Sequence, residues 1–201
     1  MSDLKIVYVS WSKAIQMCYR LAELILDYDV DFDSIVTISR GGLIPGRIVS
    51  DVLNIDTFYT IRARHWSSYG KLFEKPVINV YEQLDVRGKN VLVIDEVVDT
   101  GLTMNSVVNL LNNLGAKLVK TGVLHYKLTS IHKPDFYVEE VKEWVWIFYP
   151  WSLSETLYGL LVKTGDLSSE SIDRLIEKIG VEKNYIDHDH LIKSINRYRV
   201  R

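Results

Sequence analysis

The sequence predicts an α/β fold with a mainly parallel central sheet flanked by helices. Apolar, β-branched runs of strand length recur at residues 34–38, 57–61, 91–94 and 117–125. Helical spacing of apolar residues occurs between them, and first at residues 11–27. Strands that alternate with helices in this way are typical of a parallel sheet, and ligands of such sheets lie beyond the carboxyl ends of the strands.

The boundaries of these elements carry ordinary local signals. Ser10 or Ser12 can cap the helix at residues 11–27, and Gly115 suits the end of a helix over residues 103–114. A further helix is expected from the glycines at 41–42 to about Leu53. Residues 62–75 are polar, aromatic and basic without a clear period, so they predict an exposed loop, with residues 77–80 as a return strand.

The chain becomes helical after Pro150. Short strands are expected at residues 136–138 and 144–148, and helices at roughly 153–163, 168–179 and 184–198. We therefore expect a core over residues 1–152 and a helical extension over residues 153–201, which would pack on the core, cap it or serve in oligomerisation.

Composition narrows the class of protein. The chain has 201 residues and a net charge of −2, which gives no basic field for nucleic acid. The single cysteine, Cys18, excludes an internal disulfide framework and lies in an apolar helical pattern, so we expect it in the core. No signal segment and no apolar run of membrane-spanning length is present, which predicts a cytoplasmic protein without a membrane partner.

The most informative segment is residues 91–103. An apolar strand is followed by Asp95 and Glu96, two apolar residues, and then Asp99-Thr-Gly-Leu-Thr103 at the start of a helix. Backbone amides at a helix start bind anions, and Gly101 permits close approach to a phosphate. The acids suit vicinal hydroxyls or a divalent cation. Solvated acids at a strand end and a common Asp-Thr-Gly turn explain parts of this segment, but the whole arrangement is more specific than that.

This segment resembles the signature of the phosphoribosyltransferases, whose substrate is 5-phosphoribosyl-1-pyrophosphate (PRPP). The resemblance implies the type I phosphoribosyltransferase fold with a small hood. It implies that Asp95 and Glu96 hold the ribose hydroxyls, directly or through Mg²⁺. It further implies that Asp99, Thr100, Gly101, Leu102 and Thr103 cradle the 5′-phosphate. In the 6-oxopurine branch, the acid at Asp99 also faces N7 of the base and moves its proton.

Ser39-Arg40-Gly41-Gly42 follows the strand at residues 34–38. Two glycines let the backbone curl around an anion, and Arg40 can donate several hydrogen bonds to phosphate. An ordinary strand–helix turn explains the same residues. The segment is nevertheless similar to the pyrophosphate loop of xanthine–guanine and hypoxanthine enzymes of bacteria and archaea. That resemblance implies pyrophosphate binding by Ser39, Arg40 and Gly41, and a cis peptide bond next to Arg40.

The polar segment at residues 62–75 resembles the mobile catalytic lid of the same enzymes. Such lids often contain Ser-Tyr, and here Ser67, Ser68 and Tyr69 fit that pattern. A lid that closes over the reacting centre would exclude water and favour transfer over hydrolysis. A plain surface loop is the alternative interpretation.

Three further residues are assigned to the base. Lys127 follows a strand and can donate to an exocyclic oxygen, although a solvated lysine is the common case. The resemblance implies that Lys127 reads O6 of the purine, that Trp146 stacks on it and that the backbone near Ile147 reads its edge. Where the family usually has a metal-binding acid, this chain has Ser152, and Glu155 lies one helical turn further on.

Together these residues predict a purine salvage enzyme. It would transfer the 5-phosphoribosyl group from PRPP to N9 of hypoxanthine, guanine or xanthine, with Mg²⁺ as cofactor. The products would be a nucleoside monophosphate and pyrophosphate. Alternatives are a PRPP-binding regulator of the same fold, or a phosphoribosyltransferase for adenine or another base. The family resemblance also implies a homodimer or homotetramer.

Overall fold

The computed structural model describes residues 5–64, 66–67, 70–71, 75–182 and 187–198, with the side chains of residues 66–67 and 70–71 excepted. The chain divides into two compact units. We call Ala14–His65 with Phe73–Trp144 the sheet unit. We call Met1–Lys13, Trp66–Leu72 and Val145–Arg201 the extension unit. No helix in the described ranges is long and apolar enough to cross a membrane.

The sheet unit contains a six-stranded sheet built from β2 (Ser34–Ser39), β3 (Phe58–Arg64), β6 (Val77–Val80), β7 (Asn90–Val98), β8 (Leu118–Lys127) and β9 (Phe136–Val141). The strand order is β6-β3-β2-β7-β8-β9. All neighbouring strands are parallel except β6, which runs antiparallel to β3. The sequence prediction of a mainly parallel sheet is therefore confirmed.

Helix α1 (Trp11–Leu26) precedes β2 in the chain, α2 (Leu43–Val52) lies between β2 and β3, and α3 (Leu102–Asn113) lies between β7 and β8. The apolar face of α3 packs on the sheet, because Met104, Val107 and Leu111 share one buried cluster with β2, β7 and β8. Cys18 is fully buried on α1, as expected for a core residue. Burial raises the pKa of the Cys18 thiol to about 12, so the thiolate is strongly disfavoured.

Two expectations about strand boundaries are wrong. The strand β7 does not end at the acids but continues through Asp95 and Glu96 to Val98, because β8 pairs with it as far as Tyr126. The predicted loop at residues 62–75 is partly strand: β3 extends to Arg64, and β4 (Trp66–Ser67) pairs with β5 (Gly70–Lys71). Hydrogen bonding to a neighbouring strand overrides the weak strand propensity of these polar residues.

The extension unit contains a two-stranded parallel sheet of β1 (Ile6–Tyr8) and β10 (Trp146–Phe148). A single 3₁₀ turn over Pro150–Ser152 leads into α4 (Leu153–Thr164), α5 (Ser169–Ile179) and α6 (His188–Arg197). These helices bury their apolar faces in a cluster with Phe148, and Ile6, Tyr8 and Trp146 pack against it. Two strands alone are only marginally stable in water, so the helices supply the apolar contact that this small sheet needs.

Candidate active site

The residues at positions 99–103, here called the phosphate loop, connect β7 to α3. Gly101 has a φ of +83° and forms the N-cap of α3. Glycine adopts this left-handed conformation without the clash that a Cβ would cause. Because the cap residue has no side chain, it does not itself cover the first-turn amides of the helix. Such amides, reinforced by the helix dipole, are suited to bind an anion.

The phosphate loop also touches the segment that follows β8. The amide of Ile131 donates to the carbonyl oxygen of Thr100 over 3.0 Å. A Cβ at position 101 would lie 2.6 Å from the amide nitrogen of His132 and would collide with Ser130 Oγ. Both the backbone conformation and the close packing therefore require glycine at position 101.

Asp95 and Glu96 lie on β7, before the phosphate loop. The Asp95 carboxylate accepts a hydrogen bond from the Glu96 amide over 2.8 Å. Burial, and then the neighbouring charge of Glu96, hold the pKa of Asp95 well above its usual value, and the amide hydrogen bond only partly opposes them. The protein alone therefore does not offset the free-energy cost of burying the ionised Asp95 carboxylate. A cation or hydroxyl donors of a ligand would offset this cost.

The predicted pyrophosphate loop lies beside the second acid. The peptide bond between Ser39 and Arg40 is cis, as expected. A Cβ at position 41 would lie 2.5 Å from Glu96 Cδ, so the Glu96 carboxyl group packs directly against Gly41. A Cβ on Gly42 would collide with the carbonyl oxygen of Ile94. The two glycines thus let the loop after β2 approach β7 closely, which brings the predicted pyrophosphate loop next to the two acids.

Lys127 is the last residue of β8 and is 3% exposed. Its Nζ lies 3.0 Å from Oδ1 of Asp99, in the phosphate loop. The strands β7 and β8 are parallel neighbours with Val98 opposite Tyr126, so residues 99 and 127 leave the same edge of the sheet side by side. The site therefore presents a donor and an acceptor next to each other at the start of the phosphate loop.

Trp144 adds an aromatic face to this pair. Its ring centroid lies 5.1 Å from Lys127 Nζ, and the residue is 47% exposed. A cation at this distance from an indole ring is attracted by the electron-rich face. Of the tryptophans, the sequence prediction assigned Trp146 to the base and missed Trp144, because nothing in an aromatic-rich stretch distinguishes one tryptophan from the next.

His132 was also missed. Its Nδ1 lies 2.6 Å from Oδ1 of Asn105 on α3, and its Nε2 lies 3.2 Å from Oγ1 of Thr121 on β8. Burial lowers the pKa of His132, and the nearby charge of Asp135 opposes this only partly. A single histidine in a polar turn gives no sequence signal for such contacts, because its partners are distant along the chain.

Other predicted residues lie elsewhere or outside the described ranges. Trp146 and Ile147 lie on β10 of the extension unit, where Trp146 packs against the apolar cluster. Of the predicted lid residues, Ser67 is described only by its backbone in β4, and Ser68 and Tyr69 lie outside the described residues. Ser152 donates its hydroxyl to the carbonyl oxygen of Tyr149 over 3.1 Å.

A family model for the phosphoribosyl transferase domain matches residues 8–156. A xanthine-guanine phosphoribosyltransferase of Desulfotalea psychrophila is 32% identical over 154 residues, which cover 77% of this chain and 91% of that protein.

Two solved structures show the same fold. A purine phosphoribosyltransferase from Pyrococcus horikoshii Ot3 is 32% identical with a TM-score of 0.63, covering 74% of this chain and 94% of that one. A hypothetical protein from Neisseria gonorrhoeae with bound ppGpp is 27% identical with a TM-score of 0.63, covering 83% of this chain and 100% of that one. Residues 95–103 carry the family signature on a strand, a turn and the start of a helix. This chain therefore belongs to the phosphoribosyltransferase family and has its type I fold.

Proposed function

We propose that this protein is a purine salvage enzyme that transfers the 5-phosphoribosyl group of PRPP to N9 of a 6-oxopurine. The observation that carries the proposal is the 3.0 Å contact between Lys127 Nζ and Asp99 Oδ1. A 6-oxopurine carries O6, an acceptor, and N7, a site for a proton, on one edge of its ring system. A lysine donor beside a carboxylate acceptor is complementary to that edge.

The proposed chemistry is a substitution at C1′ of the ribose. The C1′–O bond to pyrophosphate breaks, pyrophosphate leaves with the electron pair, and N9 of the base forms the new bond to C1′. The proton on N7 passes to the Asp99 carboxylate, as a general base requires. Amides of the phosphate loop hold the 5′-phosphate, while Ser39, Arg40 and Gly41 bind the leaving pyrophosphate.

Asp95 and Glu96 fit a role in binding Mg²⁺ together with the substrate. No cluster of three His, Cys, Asp or Glu side chains suited to a metal occurs among the described residues. Mg²⁺ is commonly held by one or two carboxylates with substrate oxygens and water, so two acids are sufficient. When bound, Mg²⁺ neutralises charge that develops on the pyrophosphate. The raised pKa of Asp95 agrees with a site that a cation completes.

Two relatives support a purine as acceptor, since one is named a xanthine-guanine and the other a purine phosphoribosyltransferase. They favour the enzyme over the alternative of a PRPP-binding regulator. Stacking by Trp146, edge recognition near Ile147 and a lid at residues 67–69 remain part of the proposal through the family resemblance. A homodimeric or homotetrameric state and a cytoplasmic location likewise stay predictions.

A spectrophotometric screen tests the proposal. The protein is incubated with PRPP, Mg²⁺ and, in turn, hypoxanthine, guanine, xanthine, adenine and uracil. We expect product with at least one 6-oxopurine and little with adenine or uracil. Lys127→Ala should strongly raise KM for the 6-oxopurine. The control Lys89→Ala removes a surface ion pair with Asp85 and should leave kinetics unchanged. Absence of product from every base, or a preference for adenine, would overturn the proposal.

A further inference from the structure

Residues 128–135, which connect β8 to β9, form a segment that we call the His132 loop. This loop starts directly after Lys127 and packs on the phosphate loop. The Ile131 amide donates to Thr100 O over 3.0 Å, and the backbone of His132 lies where a Cβ of Gly101 would be. One side of the phosphate loop is therefore covered by the His132 loop.

The imidazole of His132 connects two elements of the sheet unit. Its Nδ1 is 2.6 Å from Asn105 Oδ1 on α3, and its Nε2 is 3.2 Å from Thr121 Oγ1 on β8. Asn105 lies in the first turn of α3, and its amide donates to the carbonyl oxygen of Gly101 over 2.9 Å. The histidine is thus linked through Asn105 to the helix start that forms part of the phosphate loop.

The far end of the His132 loop is fixed separately. Asp135 accepts hydrogen bonds from both the amide and the hydroxyl of Thr121, over 2.8 and 2.9 Å. It also accepts from Lys120 Nζ over 2.8 Å. These contacts anchor the loop to β8, so His132 holds α3 to a fixed support rather than to a second mobile segment.

We propose that His132 is a positioning residue that keeps the phosphate loop in the conformation that binds the 5′-phosphate of PRPP. Gly101 gives this loop the turn that it needs, but glycine also has the largest backbone freedom to lose on ordering. A bridge that fixes the helix start before the ligand arrives lowers the cost of binding. The inference rests on the proposed function of residues 99–103, and no atom of the His132 side chain needs to touch the substrate.

The test compares His132→Ala with wild-type protein, by steady-state kinetics and by calorimetric titration. Loss of one or two hydrogen bonds should raise KM for PRPP about tenfold, with KM for the purine and kcat within about twofold of wild type. Ribose 5-phosphate, which keeps the 5′-phosphate, should bind about tenfold more weakly. Pyrophosphate, which lacks it, should bind with unchanged affinity.

Asn105→Ala provides a second variant that changes the other side of the bridge. It should reproduce the selective loss, and His132→Ala in that background should add little, because both remove the same interaction. Thr129→Ala, an exposed position of the same loop, should behave as wild type. Equal weakening of ribose 5-phosphate and pyrophosphate, an equal effect of Thr129→Ala, or additive effects of His132→Ala and Asn105→Ala would overturn the inference.

Titration with ribose 5-phosphate requires no base and no turnover, so this inference and the proposed function fail in different experiments. Wild-type protein that binds ribose 5-phosphate but makes no nucleotide would disprove the purine transferase. The titration of His132→Ala with ribose 5-phosphate would still test the role of His132. If His132→Ala bound ribose 5-phosphate as tightly as wild type does, the role of His132 would be disproved and the purine transferase would stand.

Discussion

The sheet unit and the extension unit bury different kinds of side chain. In the sheet unit, Lys127 is buried against Asp99, His125 is 5% exposed, and burial raises the pKa of Asp95. Among the described residues of the extension unit, the buried set is almost entirely apolar, with Thr156 as a polar member. The apolar members include Leu157, Leu161, Ile172, Ile176, Val181, Leu191 and Ile195.

This difference distinguishes buried groups that serve ligand binding from buried groups that serve stability. Burying charge costs free energy unless it is compensated, so buried charged groups persist where ligand binding needs them. The extension instead shows ordinary stabilising features: Ser168 caps α5, Asp187 caps α6, and Gly165 and Gly180 end α4 and α5. Substitutions of the buried charged groups of the sheet unit and of the apolar cluster of the extension helices should therefore separate activity from stability.

Asp99→Asn should have the largest effect. Loss of a general base typically lowers kcat by roughly 10²–10⁴-fold, and we expect a fall in this range in a steady-state assay. The substitution also leaves the buried Lys127 ammonium without its carboxylate partner, so thermal unfolding should shift to lower temperature.

The double variant Asp99→Asn/Lys127→Met distinguishes these two effects. It removes both charges and should recover much of the thermal stability, because an uncompensated buried charge no longer remains. It should recover no activity, because Lys127, the proposed donor to O6, is lost as well. If activity returned together with stability, neither proton transfer by Asp99 nor recognition of the base by Lys127 would hold.

The site could be predicted from sequence where its residues are adjacent in the chain. Asp95 to Thr103 form one continuous strand, turn and helix, and the cis peptide before Arg40 was expected from a short local resemblance. The contact between Lys127 and Asp99 joins segments from two strands, and only the family resemblance brought both to the same substrate. Trp144 and His132 carry no local signal and were not found.

Prediction of the helices and strands from sequence was likewise limited to those with local sequence signals. The helices of the extension were predicted from the local sequence pattern, and in the structure Ser168 caps α5 while Gly165 and Gly180 end α4 and α5. The strand β1 was not predicted: three residues give no periodic pattern, and its partner β10 is far away in the chain. The true end of β7 was missed because Asp95 and Glu96 disfavour strands locally, while pairing with β8 stabilises the strand.

Ile195→Ala in α6 tests the other side of the comparison. Ile195 is fully buried in the apolar cluster of the extension unit, and deletion of such a side chain costs about 2–5 kcal/mol of stability. We expect a clearly lower midpoint in urea or thermal unfolding and an unchanged KM for PRPP at temperatures where the variant is folded. Ile192→Ala, a partly buried position of the same helix, should cost less. A raised KM for PRPP with unchanged stability would contradict the division between the units.

Of these substitutions, Asp95→Asn should change the stability of the fold least, and it should raise the stability rather than lower it. Because the folded protein raises the pKa of Asp95, this group contributes to stability only at acidic pH, where it is protonated in both states. That contribution is lost as the pH rises through the raised value. Asparagine carries no charge and can still accept from the Glu96 amide. In chelator without PRPP, the variant should melt as wild type below about pH 4 and a few degrees higher at neutral pH.

When Mg²⁺ and PRPP are present at neutral pH, wild type should melt at a higher temperature than Asp95→Asn. Mg²⁺ and PRPP stabilise a protein more when they bind it more tightly, so they should raise the melting temperature of wild type and have little effect on Asp95→Asn. Asp85→Asn, which changes an exposed carboxylate paired with Lys89, should show neither effect. If wild type were the more stable protein at neutral pH without ligand, the buried charge at Asp95 would not be a cost of function. The contrast between the buried charged groups of the sheet unit and the apolar cluster of the extension helices would then lose its main support.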